Sequence, residues 1–119
     1  MPRAAEFPDK QMQCFERFDR RIRERLKPLV TDEIIEEHRR NPAGQHSDHL
    51  ERLLNYFRRS DAAGKYAIEA VRPFQEYRVV VLSGRRGVAP RPADNATYAS
   101  PDEAYHAVFL KRVQDLLAS

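Results

Sequence analysis

The chain has 119 residues, enough for one domain with one core and too few for two, and its 41% hydrophobic content is sufficient to build that core. A charged fraction of 33% and a mean hydropathy of -0.74 leave the surface strongly polar, while 21 basic against 18 acidic residues in the same segments describe a mixed surface, not a strongly basic one. No apolar run approaches the roughly 20 residues of a membrane span and no signal-peptide core follows Met1–Glu6, so a soluble, cytoplasmic chain is expected.

After a tail over residues 1–7, expected to be flexible, the spacing of Phe15, Phe18, Ile22 and Leu26 predicts an amphipathic helix over about 8–26, with Pro8 near its start and Pro28 beyond its end. Its polar face carries Glu16 four residues before Arg20 and Asp19 four before Arg23, the favourable order for ion pairs on a helix. Thr31 caps a second helix whose first turn holds Asp32 and Glu33 and which stops near Asn41-Pro42. Ser47 caps a third, with Leu50, Leu53, Leu54 and Phe57 at the spacing of a buried stripe and Asp61–Gly64 as its exit. Segments 65–71 and 77–82 have the Tyr, Ile and Val content of an antiparallel strand pair, joined by Arg72–Glu76. The Gly-, Pro- and Arg-rich stretch 83–97 reads as a surface loop. Ser100-Pro101-Asp102-Glu103 opens the last helix: Ser at the cap and Glu three residues on can satisfy each other's backbone amides, and Pro suits the first helical position. Ala104, Val108, Phe109, Val113, Leu116 and Leu117 supply its apolar face.

Few residues carry chemistry. His46 and His49 form a His-x-x-His pair around Asp48, which by itself lacks the remaining ligands of a zinc site; His38 and His106 lie far away in sequence, and only a tertiary fold could add them. Cys14 cannot form an internal disulfide, has no local catalytic signature and reads as a small buried apolar residue. Ser83-Gly84 lacks the Gly-x-Ser-x-Gly context of a nucleophile elbow, and Gly84-Arg85-Arg86-Gly87 lacks the Lys-Ser/Thr ending of a phosphate loop. Arginine supplies 17 of the 21 basic residues, a bias that suits protein interfaces, where Arg is enriched and Lys depleted. The first helix, with Arg17, Arg20, Arg21, Arg23 and Arg25, could also meet nucleic-acid phosphates, but Glu16, Asp19 and Glu24 interrupt that field.

Five segments in order carry a family resemblance: Glu36-Glu37-His38 with Asn41-Pro42-x-Gly44, Asn55-Tyr56-Phe57-Arg58, Gly64-Lys65-Tyr66, Tyr77-Arg78, and Glu103-Ala104-x-His106-Ala107-Val108-Phe109-Leu110-Lys111-Arg112. Their order and spacing resemble the small subunit of N,N-dimethylformamidase. The resemblance implies an enzyme that hydrolyses N,N-dimethylformamide or a similar amide to formate and an amine, with the chemistry in a large subunit whose mononuclear iron is held by two tyrosines and a glutamate. It implies no catalytic, cofactor or metal residue in this chain, and Tyr56, Tyr66, Tyr77, Tyr98 and Tyr105 are expected to pack core and interface.

The expectation is a single α+β domain, mostly helical, with a small antiparallel sheet and a C-terminal helix. Its expected role is that of an accessory subunit in a hetero-oligomer, stabilising the large catalytic subunit. Phe15, Phe18, Ile22, Arg17, Arg21, Arg85 and Arg86 are the candidate interface, and neither nucleic acid nor membrane is an expected partner. The competing reading is a freestanding Arg-rich nucleic-acid-binding module.

Overall fold

The computed structural model describes residues 3–59 and 65–119, and the side chains of 13–59 and 65–119. Helix α1 runs Arg3–Leu26, followed by a 3-10 turn at Lys27–Leu29 that holds Pro28. Helices α2 (Asp32–Arg40) and α3 (Asp48–Arg58) come next, then strands β1 (Tyr66–Arg72), β2 (Glu76–Val81) and β3 (Arg91–Pro92), and finally helix α4 (Pro101–Ala118). The α+β architecture expected from the sequence is the one observed. Helix α1 begins ahead of Pro8, so residues 3–7 of the expected tail are helical in backbone, while residues 1 and 2 and the turn expected at 61–64 lie outside the described residues.

The helix starts form as their cap residues dictate. The Thr31 Oγ1 accepts the Ile34 amide at 3.2 Å, the Ser47 Oγ accepts that of Leu50 at 3.4 Å, and the Ser100 Oγ accepts that of Glu103 at 3.2 Å, each satisfying an otherwise orphan donor. The reciprocal half of the last capping box shifts by one residue: the Glu103 carboxylate accepts the Ala99 amide at 3.1 Å and not that of Ser100.

The three strands form an antiparallel sheet in the order β1-β2-β3. In the central strand the adjacent Val79 and Val80 are both buried, and because successive strand residues point to opposite faces, β2 is covered on both sides. Helix α4 packs across β1 and β2. The 83–97 stretch is more ordered than a bare loop: β3 pairs with Val80 and Val81, Asp94 pairs with Lys111 of α4, and just beyond the stretch Tyr98 bridges Tyr77. Pro92 has no amide to donate, and an edge strand is where a sheet tolerates that.

The core lies where α2, α3 and the C-terminal half of α4 meet, from Ile34, Leu50, Leu53, Phe57, Phe109, Val113 and Leu116, with Leu26 of α1 at its margin. Leu117, expected on the apolar face of α4, is 51% exposed. It follows Leu116 by about 100° around the helix, so only one of the two can face the core.

Candidate partner interface

Helix α1 enters the core at one end only. Leu26 is buried and Ile22 half-buried, whereas Phe18 is 61% and Phe15 69% exposed along the same stripe. Opposite that stripe stand Tyr56 and Phe57 at the end of α3 with Arg59 just past it, Tyr66 at the start of β1 with Lys65 just before it, and the last turns of α4 (Arg112, Asp115, Leu116). Together they enclose an open groove of about 470 Å³, floored by aromatic rings.

The tyrosines, the carboxylates, Arg23 and Arg112 of the groove are engaged within the chain. The Tyr56 hydroxyl donates to Asp19 at 2.9 Å, and Arg23 pairs with the same carboxylate at 3.1 Å, the ion pair expected from their spacing. The Tyr66 hydroxyl donates to Asp115 at 2.8 Å. Arg112 donates to the Phe57 carbonyl at 2.8 Å, capping the C-terminal end of α3, and its guanidinium lies 5.9 Å from the Phe57 and Tyr66 ring centres. Burial, followed by the bonded Asp19, pushes the Tyr56 phenol up to about 12, and burial with Asp115 raises that of Tyr66. Both stay protonated at neutral pH and hold their bonds to the carboxylates as donors. Burial also lowers the Arg112 pKa.

The sequence-predicted interface residues fall in three places. Phe15, Phe18 and Ile22 line the groove; Arg17 and Arg21 are exposed elsewhere on α1, and Arg85 and Arg86 are exposed in the 83–97 segment, outside the groove lining. Cys14, expected to be buried, is exposed on α1. The contacts that Asp19, Arg112 and Asp115 make with Tyr56, Phe57 and Tyr66 in the groove were not legible in the sequence because these partners are 37 to 55 residues away.

The His-x-x-His pair does not form a joint site. Both ring nitrogens of His46 are engaged inside the chain, Nε2 with the Asn41 carbonyl at 2.6 Å and Nδ1 with Glu51 at 3.2 Å, while His49 is exposed. The fold instead gathers His46, His38 and His106. His38 is only 3% exposed, stacks on Phe109 with ring centres 4.1 Å apart, and faces His106 Nδ1 to Nδ1 at 3.0 Å. Two such nitrogens share one proton, one ring donating and the other accepting. Burial, then nearby His106 and His46, lower the His38 pKa from 6.5 to about 4 against the opposing pull of Glu37. Burial and Arg39 likewise lower that of His106, opposed by Glu36. Glu37 meanwhile accepts both the amide and the hydroxyl of Ser47, each at 2.7 Å, which fastens α2 to the cap of α3 and lowers its own pKa. Among the described residues, no group of three or more His, Cys, Asp or Glu is placed to hold a metal ion.

Fold and surface thus define the class: a small α+β domain whose helices are pinned by long-range polar contacts and which presents a preformed aromatic groove. The sequence pattern of the N,N-dimethylformamidase alpha subunit matches residues 13–119. The N,N-dimethylformamidase alpha subunit of Paracoccus aminophilus is 40% identical over 115 residues, covering 92% of this chain and 80% of that protein. The alpha subunit from an Alcaligenes species is 33% identical over 117 residues, covering 94% and 87% respectively. The chain belongs to the N,N-dimethylformamidase alpha-subunit family. None of its described helices is long and apolar enough to cross a membrane.

Proposed function

We propose that this chain is a cytoplasmic, non-catalytic accessory subunit of a dimethylformamidase-like amide hydrolase, seated on the large catalytic subunit through the α1 groove. The observation that carries this reading is the split stripe of α1: a helix that buries Leu26 leaves Phe15 and Phe18 uncovered beside a groove whose tyrosines and carboxylates are already hydrogen-bonded to one another. Exposed aromatic rings on a preorganised surface are the commonest anchors of protein interfaces, and Arg17 and Arg21 add guanidiniums to the same helix. The relatives' designation as alpha subunits supplies the multi-subunit setting.

In this reading, hydrolysis of N,N-dimethylformamide or a similar linear amide to formate and amine takes place on the large subunit. When bound there, iron supplies Lewis-acid polarisation of the amide carbonyl or activation of water. In the same reading Tyr56 and Tyr66 serve this chain's own structure, fixing α1 and β1 to their neighbours through Asp19 and Asp115.

The test is to purify this chain with and without its large subunit and measure formate release. Activity is expected only from the assembly, and turnover by the lone chain that survives chelation and repurification would overturn the proposal. In parallel, Phe18→Ala is expected to weaken association tenfold or more, about 1.4–3 kcal/mol, because a ring this exposed acts on the partner and not on its own core. Thermal unfolding of the isolated variant should match that of the parent. A lowered melting point with unchanged affinity of the folded fraction would return Phe18 to the intramolecular core.

A further inference from the structure

The β1–β2 turn holds a second feature that the fold itself does not account for. Gln75 donates its amide to the Arg72 carbonyl at 2.9 Å, closing a four-residue turn with Pro73 second and Phe74 third. Proline fixes a negative φ at the second position, and Phe74 has φ +67, so this is a type II turn, whose third position calls for glycine or asparagine. Phe74 is the one non-glycine residue with positive φ among the described residues. Its ring gains nothing from the chain in return, being 93% exposed. Beside it the register slips between Ala70 and Arg72, and Val71 is 43% exposed. The tip is nonetheless braced: the Phe74 amide donates to the Tyr77 hydroxyl at 3.2 Å, and Tyr77 is bridged to Tyr98 by backbone bonds of 2.9 and 2.8 Å.

We infer that Phe74 is a second docking anchor, a preorganised aromatic knob that enters an apolar pocket on the large subunit; this rests on the proposed assembly. A second copy of this chain is a poor occupant. Two tips meeting each other would cover little beyond two Phe74 rings and Val71, at roughly 200 Å² for an aromatic side chain, well short of the ~1,000 Å² that a stable interface buries. Strand β1 begins at Tyr66 in the α1 groove and runs to this turn. At ~3.3 Å per residue the groove and the knob therefore stand roughly 20–25 Å apart, a spacing that one broad partner surface can engage at both ends.

Phe74→Gly separates the two roles of the residue, because glycine relaxes the turn while removing the ring; Phe74→Asn does the same with a side chain that tolerates positive φ. For both variants the isolated chain should melt at or above the parent temperature, while affinity for the large subunit, measured by surface plasmon resonance, should fall tenfold or more. Unchanged affinity in both variants overturns the inference. If Phe18→Ala weakens binding and the Phe74 variants do not, the groove reading stands and the knob falls; the reverse pattern keeps the knob and removes the groove. Sedimentation of the lone chain completes the test: a concentration-dependent dimer abolished by Phe74→Gly would assign the knob to a second copy and overturn its assignment to the large subunit.

Discussion

Truncation of Phe109 to alanine is expected to destabilise the isolated chain by about 3–5 kcal/mol, the range for removing a fully buried aromatic ring. The ring is 2% exposed on α4, lies face to face with His38 of α2 at 4.1 Å and edge-on to Phe57 of α3 at 6.1 Å, so one side chain braces three helices. Its loss leaves a cavity and also uncovers the ring of His38, which stacks on it. Small domains are stable by only about 5–15 kcal/mol, so the variant should populate unfolded chain at ordinary temperature and assemble poorly as a consequence. Phe109→Leu, closer in volume, should lose much less. Urea unfolding decides: a loss under ~1 kcal/mol in the alanine variant would mean that the three-helix junction is held by other contacts.

Acid should destabilise the chain through His38 before its carboxylates respond. The folded pKa of His38 lies at about 4 and the unfolded value near 6.5, so the buried ring is favoured neutral. Stability from this group is therefore complete above pH 6.5 and declines as pH falls toward 4, because the unfolded chain takes up a proton that the folded chain refuses. At ~1.4 kcal/mol per pH unit the loss approaches about 3 kcal/mol across the window, and His106, lowered in the same direction, adds to it. Glu37 and Asp94, whose carboxyls are held below their ordinary values by Ser47 and Lys111, lose their contributions in a lower window, as pH falls below about 4.5. Unfolding free energy measured from pH 7 to pH 4 should fall steeply in the parent and more gently in His38→Gln. An equal slope in the two proteins would show that another group governs the acid response.

Much of the local architecture is determined by short-range chemistry and is legible in the chain. Thr31, Ser47 and Ser100 cap helices because a side-chain oxygen reaches an amide three residues on, and the spacing of Leu50, Leu53 and Phe57 defines a buried stripe whatever it packs against. The alternation-poor, Val- and Tyr-rich segments defined β1 and β2 to within a residue. The five family segments likewise point to the family whose sequence pattern matches residues 13–119. The tertiary fold decided what depends on distant partners. Periodicity showed that Phe15, Phe18, Ile22 and Leu26 share a face, but only the place where α1 leaves the core made Leu26 buried and Phe18 exposed. A His-x-x-His spacing suggested a pair, yet packing put His49 in solvent and brought His38 within 3.0 Å of a histidine 68 residues away. The two-residue β3 was hidden in a Gly- and Pro-rich segment because a strand that short has no pattern of its own and forms only against the edge of β2. Caps, stripes and turns are set by neighbours a few residues apart; burial and side-chain pairing are set by which surfaces the folded chain brings together.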